Sequence, residues 1–256
     1  MPNNNKSLVY WASPYEIPDA FVHATKNMVT NNLIQTRVIA EKILDNIYEG
    51  EKVGVKIHVG EAYNTHYLRA DYVRQVVEII KSKGGIPTLI ETQGLGMAHN
   101  IVDIPDLCTF SLRCRSTTEH RKIANLHGYS EQIIGAPLNF IDGETGNDGR
   151  SIDIDGIQLK KISVASGIYN YDKLVVISHF KGHGFGGFGG ALKNLGIGCV
   201  TNKNKYLAHF NGPLNVSKKC NLTKCNRECI EVCPVNAFDI KTDSIVIDPT
   251  KCIKCF

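Results

Sequence analysis

Apolar residues recur along the chain with two periods, one near 3.6 and one near 2, and their alternation lays out the elements. Leu8 to Trp11 reads as a short first strand. From Asn31 to Tyr48, apolar side chains fall at Ile34, Val38, Leu44 and Ile47, close to helical spacing, and Gly50 is placed to stop the helix. Val53 to Val59 follows as a strand rich in β-branched residues, interrupted by Lys56 and His58. A second helix carries Val73, Val76, Val77 and Ile80 at i, i+3, i+4 and i+7 and ends at Gly84 and Gly85. Ile86 to Thr92 is the next strand, with a glycine-bearing exit at Gly94 and Gly96. Between His99 and Ile162 the periods blur, and the elements expected there are a helix near Glu119 to Leu126 and strands near Leu138 to Ile141 and Ile152 to Ile154. Lys173 to Ser178 reads as a buried strand.

Strand, helix, strand, helix, strand in that order calls for the long crossovers that join parallel strands. The expected class is therefore α/β, a parallel or mixed sheet covered by helices. Composition shifts after about Val216, which divides the chain into an α/β domain over residues 1–215 and a small module over 216–256. Lys+Arg 29 against Asp+Glu 25 leaves a net charge of only +4, so neither a nucleic-acid nor a membrane partner is expected. Uncharged stretches fall short of the roughly 18 residues a membrane span needs. With no basic-then-apolar signal at Met1 to Lys6, the expected location is cytoplasmic.

Cysteine makes the composition informative. There are nine, and six of them lie between Cys220 and Cys255. The odd total and the crowding point to metal ligands in a reducing compartment rather than to disulfides. Cys220, Cys225, Cys229 and Cys233 are separated by four, three and three residues, and Cys233 is followed by Pro234-Val-Asn-Ala-Phe238. Several close thiolates from one loop plus a remote cysteine before proline suit an iron–sulfur cube. Ile245 to Cys255 then approaches a second such loop through Cys252 and Cys255. A structural zinc site or free thiols are the alternatives. Cys108, Cys114 and Cys199 stand apart and read as buried small apolar residues.

A second signal lies in His179 to Asn194, where six glycines fall between Gly182 and Gly190 after one expected strand and before an expected helix. Such a turn lets backbone N–H groups approach an anion, and the helix N-terminus adds a favourable dipole. Lys181, His183 and Lys193 punctuate it, with Gly187, Gly189 and Gly190 between them. Lys56, His58 and Glu61 repeat the arrangement after an earlier strand. These residues are the candidate binding groups for a small anionic ligand at the carboxyl end of the sheet. Solvated surface charge is the competing reading for each lysine. His66, Arg69, His120 and His209 are expected in ordinary loop or helix-surface roles.

The cysteine pattern resembles the bacterial two-cluster ferredoxin, although its first loop is looser than Cys-x2-Cys-x2-Cys. The chain ends at Phe256, where a third cysteine of the second loop is expected two residues later, so the reading is of a fragment of a longer protein. More broadly, the sequence resembles the domain of unknown function 362 family. The likeness is carried by Val55-Lys-Ile-His-Val-Gly-Glu61, by Gly135 to Gly143 with Asp142, by Ser178-His-Phe-Lys-Gly-His183, by Gly189-Gly-Ala-Leu-Lys-Asn-Leu-Gly-Ile-Gly198 and by the cysteines. It implies an α/β domain carrying a ferredoxin-like 4Fe-4S module, incomplete here at the C-terminus. A shorter likeness, over His183 to Lys193, is to nickel-pincer lactate racemases and implies Lys193 as the attachment point of a nucleotide-derived cofactor.

Together these expectations describe an iron–sulfur redox protein with one or two 4Fe-4S clusters on Cys220, Cys225, Cys229, Cys233, Cys252 and Cys255. It would pass electrons from a redox partner protein to an anionic ligand held by Lys181, His183 and Lys193. The alternatives are an electron carrier without a substrate of its own, and a non-redox isomerase in which the cluster is structural and Lys193 holds a nucleotide-like or organometallic group.

Overall fold

The computed structural model describes residues 9–12, 28–62, 64–94, 101–104, 108–111, 116–157, 159–183, 186–209, 216, 220–231, 233, 236–241, 244–248 and 251–252. Its elements run α1 (Met28–Ile43), β1 (Lys52–Lys56), α2 (Ala70–Ser82), β2 (Ile86–Glu91), β3 (Ile101–Ile104), β4 (Cys108–Ser111), α3 (Thr117–Leu126), α4 (Glu131–Ile134) and β5 (Leu138–Phe140). They continue with β6 (Gly149–Asp153), β7 (Lys161–Ala165), β8 (Lys173–Val176), β9 (Lys181–His183), β10 (Gly187–Gly189), α5 (Ala191–Gly196), α6 (Asn202–His209), α7 (Glu228–Glu231), β11 (Phe238–Lys241) and β12 (Ser244–Ile247).

The frame is a four-stranded sheet in the order β5-β2-β1-β8, and each of its pairings is parallel. The α/β class and its helix-covered parallel sheet are therefore present. Period-2 alternation explains how β1 serves two faces. Val53, Val55, Ile57 and Val59 enter the main core with α1, α2 and α3 residues such as Ala40, Val77, Ile80 and Ile123. Each fully buried isoleucine or valine there is worth about 1.5–3 kcal/mol. The alternate positions Gly54, Lys56 and His58 belong to the other face. A Cβ on Gly54 would lie 3.0 Å from both Ile90 and Leu174 side-chain atoms, so glycine permits this close packing. A smaller cluster of Ile90, Ile141 and Ala165, with Ile168 and Tyr171 against it, covers that face.

Four expectations need correction. Val9 to Trp11 form no strand, and Trp11 is exposed; Leu8 lies outside the described residues. The first helix begins earlier, at Met28, and ends at Ile43 rather than Tyr48. β8 is an edge strand and only half-buried, with Leu174 39% exposed, because β1 pairs with it on one side alone. The glycine-rich stretch is not an open turn. It folds as the antiparallel hairpin β9–β10, with Lys181 opposite Gly189 and His183 opposite Gly187. The six-residue α5 that follows is too short to supply the helix-dipole anion site expected from the sequence.

The hairpins β3–β4 and β6–β7 were not expected, apart from a strand near Ile152. After residue 216 the described elements are the single-turn α7 and the hairpin β11–β12, around buried Ala237 and Ile245. Among the described residues, no helix is long and apolar enough to cross a membrane.

Candidate functional site

Because β1, β2, β5 and β8 run parallel, their carboxyl ends open on one edge, the usual place for a ligand in an open α/β sheet. What the chain puts there is polar: Lys56 and His58 at the end of β1, Glu91 to Gln93 at the end of β2, Asp142 just past β5, and Ser178 and His179 beyond β8. The hairpin β9–β10 and the start of α5 fold over this edge. The result is a cavity of about 220 Å3 whose wall includes His58, His120, Lys181, His183, Lys193 and Lys205.

Beneath the cavity lies a buried ionic network. Lys56 Nζ donates to Glu91 Oε1 at 2.6 Å, to Asn194 Oδ1 at 2.8 Å and to the Ile57 carbonyl, which satisfies all three of its protons. Glu91 is equally occupied. Its Oε1 also accepts the Thr92 N–H at 2.9 Å, its Oε2 accepts the Val59 N–H at 2.9 Å, and His58 Nδ1 stands 3.5 Å away. Burial alone would raise the Glu91 carboxyl, but Lys56 and His58 outweigh it and hold the group well below the usual carboxylate range. Asn194 closes the knot, donating through Nδ2 to the Ile177 carbonyl and Ser178 Oγ, each at 3.0 Å.

A second buried lysine ties the β2 exit to α6. Lys205 Nζ donates to Thr92 Oγ1 at 2.8 Å and to the Gln93 carbonyl at 2.6 Å, and lies 3.6 Å from Asp142 Oδ2. Both Asp142 oxygens accept the Gln93 N–H. Burial pushes the Asp142 carboxyl up to about 6, with Lys205 and the Gln93 N–H pulling against it. His120, whose Nδ1 meets Gln93 Oε1 at 3.3 Å, is lowered to about 4 by burial.

The more accessible wall is chemically different. Lys181 and His183, two apart on β9, project to the same side, and the absent side chain of Gly189 leaves room between them. Lys193 Nζ contacts His183 Nε2, and His183 Nδ1 accepts the Gly186 N–H at 3.2 Å. Burial lowers both the Lys193 and the His183 pKa, and neighbouring cations reinforce it: Lys181 for the lysine, and Lys193, His209 and Lys181 for the ring. His209, on the last turn of α6, brings its ring centroid within 6.4 Å of that of His183.

Of the residues singled out in the sequence, the structure brings Lys181, His183, Gly189, Gly190, Lys193 and His58 to one cavity. Lys56 lies beneath it, fully buried, and acts as a structural cation. Gly187, at φ +72° at the start of β10, is exposed and away from the wall. Sequence reasoning missed Glu91, Gln93 and Lys205, and placed His120 and His209 in ordinary roles. The available signal was a polar residue directly after an apolar parallel strand, as at Glu91 and Asp142.

In the cysteine segment, Cys220, Cys225 and Cys229 are exposed, Cys233 and Cys252 are half-buried, and none of the five is in a disulfide. Cys255 and Cys114 lie outside the described residues, Cys108 falls in β4, and Cys199 is buried as expected. Arg227 and Asn236 adopt left-handed backbone (φ 60° and 48°) on either side of Cys229 and Cys233, and Cys233 Sγ accepts the Ala237 N–H at 3.2 Å. Sulfurs outside any disulfide, one of them accepting an N–H···S bond, are the donor chemistry of an iron–sulfur or zinc group. Among the described residues, however, no three histidine, cysteine or carboxylate side chains are gathered around one point.

A parallel α/β sheet with a cation- and histidine-walled cavity at its carboxyl edge defines the class of protein. Over residues 53–252 the chain matches the model of a family described as a domain of unknown function (DUF362), and it belongs to that family. No curated protein and no solved structure matches it.

Proposed function

We propose that this chain is an iron–sulfur redox protein that binds a small anion at the carboxyl edge of its sheet and makes it available for single-electron reduction. One observation carries the anion-binding half: the cavity wall presents Lys181, Lys193 and Lys205 together with several histidines, against the carboxylates Glu61 and Glu91. Glu91 is already neutralised by Lys56, and Lys205 faces Asp142, which leaves Lys181 as the fixed positive charge on this wall. Lys181 supplies a fixed charge, Gly189 the room for a ligand, and the paired Lys193 and His183 a place to move a proton. The cysteine spacing supports the other half. Cys220, Cys225, Cys229, Cys233, Cys252 and Cys255 are the residues that would hold the group, which when bound supplies one-electron chemistry, commonly at low potential.

Two measurements test the reading separately. Anaerobic reconstitution of the full-length protein with iron and sulfide is expected to give broad visible absorption and a spin signal on reduction. A colourless product that binds zinc tightly would overturn the redox half. Titration with oxalate is expected to show binding that weakens about tenfold in Lys181→Ala, or about 1.4 kcal/mol. An unchanged affinity would overturn the anion half. The alternative, a non-redox isomerase, draws its support from the Lys193–His183 contact; a nucleotide-sized adduct on Lys193 of natively isolated protein would favour it.

A further inference from the structure

The geometry points to Lys193 as a free-amine nucleophile that forms an imine with a small 2-oxo carboxylate, the carboxylate held by Lys181; this rests on the anion-binding reading above. The decisive geometry is at the His183 ring. Its Nδ1 accepts the Gly186 N–H, so that nitrogen carries no proton. A neutral imidazole must then carry its proton on Nε2, and the partners assign the tautomer. Nε2 faces Lys193 Nζ. An ammonium there would set donor against donor, whereas a neutral amine offers its lone pair to the Nε2 proton.

The surroundings agree. Lys181 and His183 from β9, His209 from α6 and His58 from the β1 exit act on the pair, all cationic when charged, while the carboxylates Glu61 and Glu91 line the same cavity, Glu91 already paired with Lys56. Burial and Lys181 both disfavour a second positive charge on Lys193. The amine lines the cavity, and Lys181 stands on the same side of the hairpin as His183. An amine whose lone pair meets the Nε2 proton, beside a fixed cation, selects for a carbonyl compound that is also an anion.

The step balances without an oxidant or reductant. The Nζ lone pair adds to the carbonyl carbon and one nitrogen proton passes to the carbonyl oxygen, giving a carbinolamine; the second nitrogen proton then leaves with that hydroxyl as water while the C=N bond forms. His183 is placed to relay that proton through Nε2.

The test treats the full chain with glyoxylate and cyanoborohydride and maps the reduced adduct by peptide mass. The expected result is selective labelling at Lys193 that Lys193→Arg abolishes. An ordinary lysine loses about a hundredfold in free-amine content between pH 8.5 and 6.5, since its pKa lies near 10.4. Lys193 is expected to lose less than that, and His183→Phe to steepen the profile. Lys181→Ala is expected to slow labelling by glyoxylate more than labelling by the uncharged glycolaldehyde, the excess reporting the carboxylate contact. Absence of an adduct, or labelling spread evenly over surface lysines, overturns the imine. If oxalate still binds in that case, the anion-binding reading stands while the imine falls.

Discussion

Lys56 and Lys193 are both lysines near the carboxyl edge of the sheet, and the structure gives them opposite tasks. Lys56 is wholly buried, and all three of its protons are taken by Glu91, Asn194 and the Ile57 carbonyl. Lys193 is half-buried on the cavity wall and meets a histidine rather than a carboxylate. A saturated ammonium cannot bind anything further, so Lys56 fixes architecture; an amine facing an imidazole keeps its reactivity. Asn194 links the two, since it follows Lys193 in α5 and accepts from Lys56. The structural network thereby sets the position of the reactive residue next to it.

The largest expected effect breaks the comparison directly. Lys56→Met leaves the buried Glu91 carboxylate without its cation, a loss of about 3–5 kcal/mol for a pair of this kind. Lys193→Met, at a half-buried cavity wall, is expected to change stability by less than about 1 kcal/mol. Urea midpoints of the two variants decide it. Equal losses would mean that Lys193 is as structural as Lys56.

Next in size is an opposition between two buried groups on the structural side. His120 is lowered to about 4 in the native state. Below its ordinary value near 6.5 the unfolded chain takes up a proton that the native ring refuses, so stability is lost as pH falls, by about 2 kcal/mol at pH 5. Asp142 is raised to about 6. The native state takes up that proton first, and stability is gained as pH falls from about 6 towards the ordinary aspartate value, by about 1.4 kcal/mol at pH 5. The two nearly cancel in the intact protein. Urea unfolding at pH 7 and pH 5 is expected to show acid stabilisation in His120→Gln and a steeper acid loss in Asp142→Asn. Parallel slopes in the two variants would contradict the burial of one or both groups.

The helix-covered parallel sheet was legible because its signals are local. Val73, Val76, Val77 and Ile80 mark one helical face, and Val53, Val55 and Ile57 mark one side of a strand. The same alternation hid the site. Lys56 and His58 looked like interruptions of an apolar strand, when they are its second face, one buried in an ion pair and one exposed on the cavity. That difference depends on Glu91 and Asn194, 35 and 138 residues away along the chain, and no short window contains it. His120 and His209 were equally invisible, since helical spacing places them on a face without saying what folds over that face. The glycines were legible as a special backbone, but the sequence could not distinguish a phosphate-cradling turn from a hairpin. Lys181 pairing with Gly189 is a tertiary choice that the glycine spacing permits without requiring it.

The smallest effect sharpens the cavity side of the comparison through that hairpin. A Cβ on Gly189 would lie 3.8 Å from His183 Cδ2 and 3.9 Å from Lys181 Cγ, ordinary contact distances. Gly189→Ala therefore fits the fold, yet its methyl group enters the gap between the two side chains that face the ligand. On the opposite face of β9, a Cβ on Gly182 would meet nothing within 4 Å. Both variants are expected to unfold within about 0.5 kcal/mol of the parent protein. Oxalate affinity should fall a few-fold in Gly189→Ala and stay constant in Gly182→Ala, measured by calorimetric titration. Equal affinities would place the anion away from the Lys181 and His183 side of the hairpin, because a methyl group can obstruct only a ligand that uses the space it fills.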